Sequence, residues 1–506
     1  MRSPITRRDF LKLFSLLPVL FLPLPKRRLE ASPGFQGSGQ QNILIFVFDA
    51  LSARNIPIYG YPRNTTPNLT RFAQRATVYH SHHSGGNFTT PGTASLLTGV
   101  YPWTHRAIHL DGSVLDSFSD RNIFSAYPKN GFTYAYTHNL LAEALLQQFR
   151  SDIDLFKRTR ELAINDPEYS DRLFPSDYND SFWSEQLILR GGETKPSSLF
   201  GSLLYRILRL SRERKMSDVY GPQFPLGIPN LDDVYFILED AVDWLIRELP
   251  AARTPFLGYF HVLPPHGSYC PREDFVGKFQ DNFKPMAKPP SPFSQGYSDE
   301  NINKNRMEYD EYLAYADAEF GRLYDAMAQK GMLDNTTVIV TADHGELFER
   351  GIVGHETPVL YEPLIHIPLL ITVPGQVQRQ DVRSLTSCVD LLPTLAKLTG
   401  QPTPEWGEGV VLPGFGDGSV QNGQSVFAVE AKSSSKEGPL KKLTVALIKE
   451  NYKLIYYRGY PKTTAPELFD LSSDPEELQN LAGTKPAIAA ALQLEIETKL
   501  RQAHSL

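Results

Sequence analysis

The chain has 506 residues, 41% hydrophobic and 21% charged, with a formal charge of −6. A length of this order buries a large core, one big domain plus a smaller unit, and so balanced a charge excludes a nucleic-acid partner. The two cysteines, Cys270 and Cys388, make no metal-ligand cluster and leave a single disulfide open.

In chain order, the first signal is Thr6-Arg7-Arg8-Asp9-Phe10-Leu11-Lys12 ahead of the apolar run 13-LFSLLPVLFLPL-24. That run is too short to cross a bilayer, which takes roughly 20 residues, and reads as part of an export signal over 1–31. TRRDFLK resembles the bacterial twin-arginine signal, so the expected partner is the twin-arginine export machinery and the expected location periplasmic or extracellular. Lys26-Arg27-Arg28 leaves the cleavage point open, and with it an anchor made of the uncleaved signal.

Next, 42-NILIFVFDA-50 predicts a buried strand ending in an acid. The stretches 131-GFTYAYTHN-139 and 254-TPFLGYFHVLPPHGSY-269 are strand-like runs ending in histidine. Residues 309–330 read as a helix, followed by strands at 337-TVIVTADHG-345 and 366-HIPLLITVPG-375. Strands alternating with helices over 40–415 argue an α/β domain with a mostly parallel sheet. Residues 191–230 interrupt the pattern. Within them 199-LFGSLLYRILRLSRERK-215 predicts an amphipathic helix, either packed on the domain or in peripheral contact with an anionic membrane. Residues 271–305 read as a loop or lid. Over 420–506, three strand-like runs and a helix near 485–503 suggest a small antiparallel-sheet subdomain.

Ligands of parallel sheets bind outside the carboxyl ends of the strands. Asp49, His138, His266, Asp343 and His344 all fall at such ends. Carboxylates and an imidazole suit a divalent ion, and the hydroxyl of Thr89 would complete four protein ligands. Coordination lowers the high pKa of a threonine hydroxyl and turns it into a nucleophile. A helix starting near Pro91 would aim N–H groups at the same place, which suits a phosphoryl or sulfuryl ester. For 89-TTP-91 alone, a threonine cap ahead of an N1 proline is an equal reading.

Together NILIFVFDA, TTPGTASLLTG, GFTYAYTHN, HVLPPHGSY, TADHGELFERGIVGHETPVLYEP and ELFDLSSDPEELQNLAG resemble the alkaline phosphatase and sulfatase superfamily over nearly the whole mature chain. The resemblance implies an α/β/α sandwich with a mostly parallel sheet and a small C-terminal antiparallel-sheet subdomain. It implies Asp49, Asp343 and His344 as metal ligands and Thr89, two residues before the proline, as nucleophile. His266 matches a histidine that contacts the ester's non-bridging oxygens, and His355 one near the leaving group. His261 is either behind the ligands or merely packed.

The departures are chemical. Sulfatases carry Cys or Ser at the nucleophile position, converted to formylglycine, with Arg four residues on; this chain has Thr89 and Thr93. A secondary alcohol cannot give that aldehyde. Asp49-Ala50 and Asp343-His344 replace the usual Asp-Asp and Asp-Asn, which moves metal preference from Ca2+ toward Mn2+ or Zn2+. These features resemble threonine-nucleophile phosphotransferases and phosphodiesterases, and His138 falls where lipoteichoic-acid synthases and related phosphoglycerol transferases place a substrate histidine. The expected function is therefore a metal-dependent phosphoester hydrolase or phosphotransferase. In it Thr89 attacks, His138 and His266 stabilise the equatorial oxygens and His355 assists departure. The substrate is a phosphate- or sulfate-ester small molecule, glycan or lipid headgroup. The alternatives are a divergent sulfatase working without formylglycine and an inactive binding member.

Overall fold

The near-continuous apolar runs become the centre of one large sheet. The computed structural model describes residues 41–110, 112–164, 199–231, 234–416, 423–461 and 465–504. The predicted export signal lies outside these residues. Eight strands build the main sheet: β1 (Asn42–Phe48), β2 (Thr77–Tyr79), β3 (Phe132–Thr137), β4 (Leu155–Lys157), β5 (Phe256–Val262), β6 (Thr336–Ala342), β7 (Leu369–Thr372) and β8 (Gln380–Val382). Their order is β8-β2-β7-β6-β1-β5-β3-β4. The pairs β6–β1, β1–β5, β5–β3 and β3–β4 are parallel, while β7 runs antiparallel to both β6 and β2. Every residue of β1, β5 and β6 is buried. A strand covered on both faces reads as a near-continuous apolar run, which Ile43–Phe48 supplies without alternation.

The helices of the chain include α1 (Thr89–Thr98), α2 (Leu140–Gln148), α3 (Leu199–Tyr220), α4 (Leu238–Glu248), α5 (Asp299–Gln329) and α6 (Leu391–Leu398). The second sheet is antiparallel, in the order β9 (Ser425–Glu430), β10 (Leu443–Lys449), β11 (Tyr452–Arg458) and β12 (Glu467–Asp470), and α7 (Pro486–His504) follows it. The α/β architecture with a smaller C-terminal antiparallel sheet is thus as expected. Two boundaries differ. The loop expected through 305 ends at Ser298, whose side chain accepts from Asn301 N and opens α5, with Asp299 and Glu300 in its first turn. The helix expected from Pro91 begins at Thr89 behind Phe88, and no side chain caps it. Among the described residues no helix is long and apolar enough to cross a membrane. Cys270 and Cys388 are both free.

Candidate active site

Strand register assembles the site. Val47 of β1 pairs with His261 of β5 and with Thr341 of β6, and Thr137 of β3 pairs with the same His261. Side chains alternate between faces with a period of two. Two residues beyond that row, on the same face, come Asp49, Asp343 and Asn139. His261 forms the floor of the site, and the three strand-end residues stand above it. All four are fully buried.

The contacts follow this layout. Ligand atoms of Asp49, His261 and Asp343 lie within 4.8 Å of one another, a cluster able to hold a divalent metal ion. His261 Nε2 is 3.4 Å from Asp49 Oδ2 and 3.8 Å from Asp343 Oδ2. His344 Nε2 is 3.4 Å from Asp49 Oδ1 and 3.7 Å from Asp343 Oδ2, while its Nδ1–H donates to the Gly345 carbonyl at 2.8 Å. That bond turns Nε2 toward two carboxylate oxygens, an arrangement that calls for a proton or a metal cation between them. Asp49 Oδ1 and His261 Nε2, both buried, have no hydrogen-bond partner. Orphaned atoms converging in this way, carboxylate oxygens and imidazole nitrogens together, fit a divalent metal ion.

Electrostatics point the same way. Burial works against charge on Asp49, but the imidazoles of His266, His261 and His344 hold its carboxyl well below the usual range. Burial and the adjacent Asp49 charge push Asp343 up. Burial opposes a charged His344, yet Asp343 and Asp49 raise it to about 9. In the metal-free protein a proton on His344 therefore stands where a divalent cation would neutralise the carboxylates.

The backbone around the cluster is tightly specified. Ala50 adopts a left-handed conformation (φ 58°), unusual for a residue with a Cβ, and its N–H donates to Asp343 Oδ1 at 3.2 Å. Tyr309 holds the same turn by donating to the Ala50 carbonyl at 2.8 Å. Gly92 lets α1 approach the end of β6, since a Cβ there would sit 2.2 Å from the Asp343 carbonyl oxygen. Ser84 Oγ also donates to that carbonyl.

Thr89 opens α1 beside the cluster. Its Oγ1 is 3.5 Å from His344 Nε2 and accepts from Asn139 Nδ2 at 3.1 Å. The cap reading fails for both threonines, because Thr90 Oγ1 donates instead to the Leu110 carbonyl at 2.8 Å. First-turn N–H groups of a helix lack intrahelical partners, so this end of α1 favours an anion.

His266 and His355 stand at the mouth of the site, their rings 4.8 Å apart and 6.5 and 4.5 Å from that of His344. His266 Nδ1–H donates to the Gly267 carbonyl at 2.6 Å, and His355 Nδ1 lies 2.9 Å from Glu346 Oε1. Each ring thus keeps Nε2 for the site. Burial, then the neighbouring His344 and His266, hold His355 well below the usual imidazole range, and burial pushes Glu346 up to about 7. His138 is placed differently. One residue out of phase with Thr137 and Asn139, it stacks on Phe236 with ring centroids 4.2 Å apart, and neither ring nitrogen has a hydrogen-bond partner. Burial, then the adjacent His261, lower it to about 3. Its neighbour Asn139 makes the contacts instead, donating to Asp49 Oδ2 at 2.5 Å as well as to Thr89, while its Oδ1 caps α2. Asn139, and Glu346 behind His355, are the site residues that reading the sequence missed. Strand parity would have found Asn139.

Residues 41–401 match the sulfatase family, and residues 355–505 match the C-terminal region of N-sulphoglucosamine sulphohydrolase. A choline-sulfatase of Rhizobium meliloti is 24% identical over 490 residues, covering 92% of this chain and 87% of that protein. Arylsulfatase K of Bos taurus is 31% identical over 212 residues, 40% of this chain but only 38% of the relative. The phosphonate monoester hydrolase of Agrobacterium radiobacter shares the fold at 19% identity, with a TM-score of 0.65 over 92% of this chain and 96% of its own. With the family match spanning most of its length and a buried Asp-His-Asp cluster at the strand ends, this chain belongs to the sulfatase family.

Proposed function

We propose that this protein is a metal-dependent sulfuric ester hydrolase that works without formylglycine, with Thr89 as the group from which attack comes. The observation that carries the reading is the placement of Thr89 Oγ1 against His344 and Asn139, at a helix start, above two buried carboxylates. Family membership and the choline-sulfatase relative support sulfate as the ester. Asp49, Asp343, His344 and His261 would hold the ion, which supplies charge neutralisation and activation of the attacking oxygen. Asn139 orients the Thr89 hydroxyl through its 3.1 Å bond. His266 Nε2 and the first-turn N–H groups of α1 face the non-bridging oxygens, and His355 Nε2 the departing oxygen.

Charge balance favours a singly charged ester. Among the described residues no Lys or Arg is ion-paired with Asp49 or Asp343, whose recorded partners are His261 and His344. One divalent ion would neutralise the two carboxylates and leave the cluster with no net charge to spare for the substrate. A sulfate monoester, with one negative charge, suits such a site better than a phosphate monoester with two.

The second reading is a phosphodiesterase or phosphotransferase acting through a phosphothreonine. It is favoured by Thr89 itself, since phosphoryl transfer uses a simple alcohol and needs no aldehyde. Metal-loaded protein assayed on 4-nitrophenyl sulfate, bis-4-nitrophenyl phosphate and 4-nitrophenyl phosphate separates the two. Highest kcat/KM on the sulfate supports the first; highest on the diester replaces it with the second. Thr89→Ala should lower turnover of the preferred ester about a thousandfold or more with metal content retained. The TRRDFLK segment supports an exported protein, and fractionation of the native host's cells into cytoplasm and periplasm checks it.

A further inference from the structure

Beneath the cluster, two hydroxyls that touch neither substrate nor ion join two of its members. Tyr259 stands on β5 two residues before His261 and so on the same face of the sheet, level with Ile45 of β1 and Ala135 of β3. Its hydroxyl lies 3.2 Å from His261 Nδ1 and is also hydrogen-bonded to the hydroxyl of Thr93. Thr93 follows Thr89 by four residues on α1, the spacing that puts both on one side of a helix. While Thr89 meets His344 and Asn139, Thr93 Oγ1 donates to Asp343 Oδ2 at 3.4 Å. His261, Tyr259, Thr93 and Asp343 are thus linked in one chain of hydrogen bonds, and all four are fully buried.

The chain has a direction. A hydroxyl has one hydrogen to give. Thr93 gives its hydrogen to Asp343, so its oxygen is left to accept from Tyr259. The Tyr259 oxygen in turn is left to accept from His261 Nδ1–H. With Nδ1 committed, Nε2 is the nitrogen that faces Asp49 and Asp343, and it has no hydrogen-bond partner.

We propose that Tyr259 and Thr93 are positioning residues of the metal centre: their hydroxyls hold His261 by Nδ1–H, so that Nε2 is presented to the ion, and fix the Asp343 oxygen beside it. This inference rests on the metal-dependent reading above but not on which ester is hydrolysed. Thr93 stands where sulfatases carry arginine. At that position a charged donor has given way to one link of a neutral relay. A ligand whose outer hydrogen bond is deleted keeps its place in the chain but loses its orientation, which typically lowers metal affinity about 10- to 100-fold.

Tyr259→Phe and Thr93→Val each delete the hydroxyl and keep most of the shape. In the chelator-stripped full chain, the Kd for Zn2+, read by competition with a chromophoric chelator, should rise about 10- to 100-fold in each. Thr93→Ser, which keeps the hydroxyl, should stay within about threefold of wild type. The visible spectrum of the Co2+-loaded protein should change in Tyr259→Phe and not in Thr93→Ser. In a His261→Ala background, Tyr259→Phe should weaken metal binding no further. Zn2+ affinity within about threefold of wild type in both hydroxyl deletions, or an undiminished further loss in the His261→Ala background, overturns the inference. A wild type that binds metal with these shifts but turns over no ester overturns the hydrolase reading alone, and one that binds no Zn2+ overturns both.

Discussion

If a proton on His344 occupies the place of the metal, binding the metal must expel it. His344 Nε2 stands 3.4 and 3.7 Å from oxygens of Asp49 and Asp343, and these charges raise it to about 9 against an unfolded value of about 6.5. The raised pKa stabilises the metal-free fold fully below about pH 6.5, and that stabilisation is lost as pH climbs through 9. A shift of this size corresponds to about 3 kcal/mol. A divalent ion removes the need for the proton, so apparent metal affinity should rise about tenfold per pH unit between 6.5 and 9. Calorimetric titration of chelator-stripped protein with Zn2+ or Mn2+, repeated in buffers of different ionisation enthalpy, counts the protons directly. About one proton released per metal at pH 7.5 is expected, and His344→Gln should abolish it. Metal binding without proton release, or affinity flat across this range, would refute the placement of His344 among the ligands.

The remaining expectations concern the surroundings of the cluster. Asn139→Asp keeps the oxygen that caps α2 but sets a negative charge against Asp49; activity should fall 10- to 100-fold while the melting temperature of the metal-loaded protein changes little. Asn139→Ala should lose the cap as well, about 1 kcal/mol measurable by denaturant unfolding. His138→Phe should leave kcat within about threefold and hold or raise stability, because two unpartnered ring nitrogens are removed from beside Phe236; a hundredfold loss in kcat would restore the substrate role first expected of it. Gly92→Ala drives a methyl into the Asp343 carbonyl, and a loss of about 1–3 kcal/mol with weakened metal retention is expected from thermal melts with and without metal.

The strands were legible because burial on both faces leaves so few residue choices that NILIFVF and TTVIVTA could hardly be anything else. Asp49 and Asp343 were legible only in company, because either alone passes for a turn-forming Asp, whereas Asp49, His138, His266, Asp343 and His344 all close strand-like runs. His138 and Asn139 show where residue type and strand parity point to different neighbours. Residue type favoured the histidine, but the choice between adjacent residues belongs to the register of β3 on β5, and pairing partners are not written in either strand alone. Glu346 was out of reach for a different reason, because the two-stranded ribbon from Phe348–Glu349 and Ile352–Val353 that brings His355 back over it is defined by a turn through Gly354 and not by any periodicity. The start of α1 at Thr89, ahead of the proline, shows the same limit. With no side chain to cap it, that end is set by where the site holds Thr89 and by the fit of Gly92 against β6.

The central claim is that the cluster at the carboxyl ends of β1, β5 and β6 is a metal centre facing Thr89. Anomalous diffraction from crystals of Zn2+- or Mn2+-loaded protein tests it most directly. The account predicts one ion bonded at roughly 2 Å to carboxylate oxygens of Asp49 and Asp343 and to Nε2 of His344 and His261, with Thr89 Oγ1 beside it. An ion bound elsewhere, or no anomalous peak at this cluster in metal-loaded protein, would contradict it.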